Sequence, residues 1–111
     1  MKKKSALLAL AGLAQESRLD IFRLLVEKGP EGVPAGVIAE RLGLPNATLS
    51  FHLKELSHAG LVHGRQEGRF IFYSASFATV DALVAYLTEN CCQGASCAMA
   101  CVPSPQRRRK A

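Results

Sequence analysis

A short apolar-faced helix, a glycine stop and then a longer leucine-striped helix follow one another within residues 35–60, and this succession constrains the fold more than any other feature. Ala35 to Leu42 carries Val37, Ile38 and Leu42 at helical spacing, and Gly43 is the residue type that tolerates the left-handed conformation ending a helix. A new helix starts at about Asn46, read as its N-cap, and runs to Ala59, with Leu49, Leu53 and Leu56 as the inward stripe and Gly60 as the stop. Upstream, Ser5 to Ala14 reads as a Leu/Ala helix. Glu16 to Lys28 reads as a second, with Leu19, Phe22, Leu25 and Val26 on one face and Gly29-Pro30 ending it. Downstream, Leu61 to Arg65 and Arg69 to Ser74 read as two strands. Gln66-Glu67-Gly68 forms the turn between them, and Phe70, Phe72 and Ser74 alternate with Ile71 and Tyr73. Phe77 to Asn90 closes the order as a helix with Val80, Leu83, Val84 and Leu87 on one face. A mainly α domain with a small β-hairpin is therefore expected, in the layout of a winged helix-turn-helix. The competing expectation is an unspecialised small α+β domain.

Length limits the alternatives further. With 111 residues the chain holds one small domain and has no room for a two-domain enzyme with its cleft at a domain boundary. Hydrophobic residues make up 49% and charged residues 21%, a globular balance rather than a disordered one. The formal charge of +5 says little about nucleic acid, because seven of the fourteen basic residues lie in the runs Lys2–Lys4 and Arg107–Lys110. The remaining seven face nine acidic residues, so the body carries −2. Four segments result: a basic end at 1–4, a folded domain at 5–90, a cysteine-rich stretch at 91–101 and a disordered basic tail at 102–111 that begins around Pro103 and Pro105. The Lys-rich start and Ala9-Leu10-Ala11 superficially imitate a signal peptide. The apolar stretch is short, however, and runs on into a helical pattern, so a cytoplasmic protein with no membrane partner is expected.

If the longer helix lies in a major groove, the face opposite its leucines must carry the groups that touch DNA. Ala47, Thr48, Ser50, Phe51, Lys54 and His58 turn that way at 100° per residue. Thr48 and Ser50 are small hydrogen-bonding residues that permit close approach, Lys54 suits a phosphate, and Phe51 suits a thymine methyl or, alternatively, packing beneath the wing. His52 borders the leucine stripe and stands between a base-reading role and a structural one. Arg65 and Arg69 flank the hairpin turn, where they would meet a phosphate or a neighbouring groove, or else remain solvated.

Ile38-Ala39-Glu40-Arg41-Leu42-Gly43-Leu44, followed by Ala47-Thr48-Leu49-Ser50-Phe51-His52-Leu53-Lys54-Glu55-Leu56 and Ala59-Gly60-Leu61-Val62, resembles the helix-turn-helix signature of the ArsR/SmtB family of metal-responsive repressors. Leu13-Ala14, Ser17-Arg18-Leu19, Ile21, Leu24-Leu25 and the wing run Arg65-Gln66-Glu67-Gly68-Arg69 extend the likeness to residues 5–92. The resemblance implies a homodimer joined through its first and last helices. It also implies binding to an inverted-repeat operator in double-stranded DNA and release when a metal or metalloid binds. Two departures narrow the effector. Val33-Pro34-Ala35-Gly36-Val37 lacks the Cys-x-Cys pair many members carry there, and the last helix offers Asp81 and Glu89 but no histidine for a zinc site.

What remains is the cysteine cluster. Cys91, Cys92, Cys97 and Cys101 are all the cysteines of the chain, too close together to staple distant elements, so reducing conditions and soft-ion or redox chemistry are expected. Arsenite, As(III), and antimonite, Sb(III), take three thiolates in a trigonal pyramid, which a vicinal pair and one cysteine across the Gln93–Ser96 loop can supply. This arrangement resembles an arsenite-responsive subgroup of the family, with Cys97 as third ligand and Cys101 as alternative. A four-thiolate zinc site, thiol redox sensing and idle thiols compete with that assignment. An enzyme is disfavoured, since there is neither a C-x-x-C pair nor a βαβ pattern, and no catalytic cofactor is expected. An architectural DNA-binding protein with a metal-buffering tail is the third class, distinguished by its indifference to DNA sequence.

Overall fold

Eight elements follow one another in the computed structural model, which describes residues 1–90. They are α1 (Lys3–Leu13), α2 (Glu16–Lys28), β1 (Val33–Pro34), α3 (Ala35–Leu42), α4 (Asn46–His58), β2 (Val62–Glu67), β3 (Phe70–Ala75) and α5 (Phe77–Leu87). The expected winged helix-turn-helix is present, with one addition. Val33 and Pro34 pair antiparallel with Tyr73 and Phe72, so the wing is a three-stranded sheet in the order β1-β3-β2 and not a bare hairpin.

Local chemistry accounts for the breaks. Gln15 caps α2 by accepting a hydrogen bond from the Arg18 backbone N–H at 2.9 Å. Gly43 ends α3 with φ 65°, and its N–H and that of Leu44 turn back on the last carbonyls of the helix, so the turn between α3 and α4 is closed by backbone alone. Asn46 does not cap α4. Pro45 holds the cap position in extended conformation with no side-chain bond, and Asn46 is already the first helical residue. At the other end Ser76 caps α5 through Thr79, whose hydroxyl donates to the Gly60 carbonyl at 2.6 Å and ties the start of α5 to the end of α4.

The core gathers Ile21, Leu24 and Leu25 of α2, Ile38 of α3, Leu49, Leu53 and Leu56 of α4, Leu61, Val62 and Leu83. The leucine stripe of α4 thus faces inward as its spacing predicts. Helix α1 approaches closely because Gly12 is buried there; a Cβ at that position would stand 3.0 Å from Leu61 Cδ1 and 3.1 Å from Ala59 Cβ.

Elsewhere the burial departs from the sequence pattern. At the turn β2 runs to Glu67, two residues beyond expectation, and β3 begins at Phe70, one residue later than expected, leaving Gly68 (φ 65°) and Arg69 as the loop. Phe70 and Ile71 are both exposed, because the outer half of the hairpin projects past the helices and has no layer to pack on. The apolar face expected on α5 is only partly used: Leu83 is buried, whereas Val84 is 54% and Leu87 59% exposed. Helix α5 also stops at Leu87, three residues early, where the Thr88 hydroxyl donates to the Val84 carbonyl. Helix α1 shows the same excess, with Leu7, Leu8 and Leu10 exposed. No helix among the described residues is long and apolar enough to cross a membrane.

Candidate nucleic-acid interface

Helix α4 is amphipathic across its axis. Its buried face holds Leu49, His52, Leu53 and Leu56, and its outer face presents Thr48, Ser50, Phe51 and Lys54 to solvent. Phe51 is 55% exposed, and its ring is covered on one side by the Arg18 guanidinium, 5.7 Å from the centroid. A half-exposed aromatic with a cation beside it gives this face an apolar point of contact with a positive border.

His52 is 8% exposed and belongs to the buried side. Its Nδ1 accepts a hydrogen bond from Arg18 Nε at 3.2 Å, which requires a neutral ring with the proton on Nε2. Burial, and after it the Arg18 charge, holds its pKa below 6.5. An unfolded chain has neither influence, so the neutral ring adds stability that is complete above about pH 6.5 and is lost as pH falls through the folded-state value. The melting temperature should therefore fall between pH 7 and 5 more steeply in the wild type than in His52→Asn; equal slopes would remove His52 from the account.

In the wing, the two arginines have different surroundings. Arg65 lies within an exposed knot: its Nε donates to Glu67 Oε2 at 2.5 Å, its Nη2 to the Glu31 carbonyl at 3.2 Å, and its guanidinium lies 5.5 Å from the Phe72 ring centroid. An exposed ion pair of this kind contributes little stability; it is the bond to the Glu31 carbonyl that ties the side chain back to the segment leading out of α2. Arg69 sits in the loop beyond the last strand pair and is exposed at the tip. Sequence reasoning missed Arg18, which touches both faces of α4 from α2. It also missed the Arg65–Glu31 bond, which spans 34 residues.

Among the described residues no group of three His, Cys, Asp or Glu side chains is placed to hold a metal ion. The ligand set expected from Cys91, Cys92 and Cys97, with Cys101 as alternative, lies outside the described residues.

An exposed polar helix held at a fixed angle beside a basic-tipped wing defines a winged helix-turn-helix DNA-binding protein. Residues 13–65 match the helix-turn-helix domain family. The transcriptional activator HlyU of Vibrio cholerae is 35% identical over 95 residues, covering 84% of this chain and 85% of that protein. Its solved structure, at 34% identity, spans 84% of this chain and all of its own, with a TM-score of 0.65. An ArsR-like transcriptional regulator from Rhodococcus sp. RHA1 superimposes with a TM-score of 0.72 at 26% identity, over 87% of this chain and 89% of its own. The homodimeric winged helix-turn-helix domain Mb0332 of Mycobacterium bovis gives 0.64 at 26% identity, over 84% and 86%. The chain belongs to the ArsR/HlyU family of DNA-binding transcriptional regulators, which are not enzymes.

Proposed function

We propose that this regulator is a cytoplasmic repressor that binds an inverted-repeat operator as a homodimer and leaves it when As(III) or Sb(III) is captured by thiolates of Cys91, Cys92 and Cys97. The observation that carries the DNA half is the outer face of α4, where Thr48, Ser50, Phe51 and Lys54 are all exposed opposite a fully buried leucine stripe. In this arrangement Thr48 and Ser50 meet base edges, Phe51 a thymine methyl, and Lys54 and Arg69 phosphates. Arg65 stiffens the wing, and His52 acts from inside the helix.

The exposed Leu7, Leu8 and Leu10 of α1 and Val84 and Leu87 of α5 support dimerisation, since two helices of one small domain leave apolar surface that a second copy would cover. Mb0332, described as homodimeric, agrees with that assembly. The effector half rests on sequence: a vicinal thiol pair begins four residues after the end of α5, with a third cysteine across a short loop.

The test is a titration of arsenite, under reducing conditions, into the protein bound to a fluorescent duplex from upstream of its own gene, followed by anisotropy. Release near one arsenite per site, with zinc inactive, is the expected result. Tight specific binding that ignores arsenite overturns the effector assignment and leaves the repressor; release by zinc transfers the thiolates to a tetrahedral site.

One observation favours a second reading, in which the thiols sense oxidants. HlyU, the relative described above, has also been solved in a form described as reduced. Loss of DNA binding on mild oxidation, reversed by a thiol reductant and independent of arsenite, would select it.

A further inference from the structure

We infer that Arg18 is a positioning residue that sets the rotational angle at which α4 meets DNA, so that it governs operator preference without reading a base; the inference rests on the DNA-binding reading above. Arg18 emerges from a first turn of α2 that is itself fastened, its backbone N–H held by Gln15 Oε1 at 2.9 Å. From there it grips two consecutive residues of α4 on opposite sides of the boundary between buried and exposed faces. Its Nε donates to His52 Nδ1 at 3.2 Å inside, and its guanidinium lies 5.7 Å from the Phe51 centroid outside. The Phe51 and His52 rings are themselves 5.9 Å apart and tilted by 57°, so the guanidinium holds one edge of an aromatic pair.

The leucine stripe holds α4 in the core and sets its angle through close packing, and the Arg18–His52 bond adds a directional restraint at the border of that packed face. A hydrogen bond is directional and fails beyond about 3.5 Å. Side-chain tips lie about 5–6 Å from a helix axis, so a 20° rotation moves them by roughly 2 Å. That displacement breaks the Arg18–His52 bond. It also removes Thr48 and Ser50 from any base edge they face. Phosphate attraction through Lys54 and Arg69 tolerates the same rotation, since it depends on charge and not on angle.

The experiment compares the duplex enriched by the wild-type protein from a random pool with an unselected duplex of equal length, by anisotropy at pH 8. Arg18→Met and His52→Leu should each weaken binding to the enriched duplex about tenfold. The double variant should lose about the same tenfold and not a hundredfold, because both changes break one bond. His52→Asn places an acceptor oxygen near the position of Nδ1 and should stay within about twofold of wild type. Binding to the unselected duplex, and its salt dependence, should be unchanged in the two His52 single variants. His52→Leu keeps the Arg18 charge, so its loss cannot come from a missing phosphate contact.

If Arg18→Met weakens both duplexes alike while His52→Leu weakens neither, Arg18 touches phosphate directly and the inference is overturned. A wild type that enriches no duplex from the pool overturns the operator reading instead, and this inference with it. Should the variants fail to fold, ¹⁵N spectra of the wild-type histidine rings decide. A His52 proton on Nε2 at pH 8 is expected, and one on Nδ1 rules the bond out.

Discussion

Replacing Leu56 with alanine should lower the unfolding free energy by about 2–5 kcal/mol, the range for truncating a fully buried leucine. Leu56 is 0% exposed on the inner face of α4, and its carbonyl accepts the Leu61 N–H at 2.9 Å where the chain turns into the wing. The side chain therefore lies beneath the junction of α4 and the wing. For a folded unit of this size each kcal/mol is about 4–8 °C of melting temperature, so the loss should reach roughly 10 °C or more. Set against the 5–15 kcal/mol typical of a whole domain, it takes a large share. Leu56→Met, which conserves most of the volume, should cost less than about 1.5 kcal/mol. Thermal unfolding followed by circular dichroism at fixed protein concentration measures both, the concentration mattering because association adds to apparent stability. A shift below about 2 °C in Leu56→Ala would mean that α4 is not held by its leucines.

The second large effect concerns release. With serine at Cys91, Cys92 or Cys97, DNA affinity without effector should stay within about twofold of wild type, while the arsenite response, expected at 5–150-fold for a coupling of 1–3 kcal/mol, should vanish. Serine keeps the size of the side chain and lacks the soft sulfur that As(III) requires. Coupling has a route through the described part of the chain: Leu83 anchors α5 in the core, and the Thr79 hydroxyl bonds to the Gly60 carbonyl just past the end of α4. A force applied at the far end of α5 therefore acts on an element fastened to the end of α4. Arsenite titration of each variant on the upstream duplex gives the answer. Any of the three that still dissociates at the wild-type dose is not a ligand, and Cys101→Ser then tests the alternative.

The helix-turn-helix was legible because its signals are local and repeated. Leu49, Leu53 and Leu56 recur at helical spacing, and Gly43 takes up the left-handed turn its chemistry permits. β1 was not legible, since two residues are too few for alternation to register, and their partners Tyr73 and Phe72 lie some forty residues away in the sequence. Asn46 misled for a related reason. A capping side chain and a capping position are different things, and Pro45 occupies the position. The outer face of α4 followed directly from the period, but His52, on the border, needed the Arg18 contact to show which way it turns. Arg65 carried a basic charge in the expected place. Nothing in its neighbourhood announced that the Glu31 carbonyl, 34 residues earlier, would take one of its donors.

That bond gives the wing the mechanics of a cantilever. At its root β3 is gripped on both edges, by β1 at Tyr73 and by β2 at Ala75, and the Arg65–Glu31 bond fastens the next span to the segment leading out of α2. Past that clamp Phe70 and Ile71 have no second layer beneath them, so the outer span bends more readily than the root. A load placed on Arg69 thus bends the outer span first, and what passes the clamp arrives at the Glu31–Pro34 stretch, immediately ahead of α3.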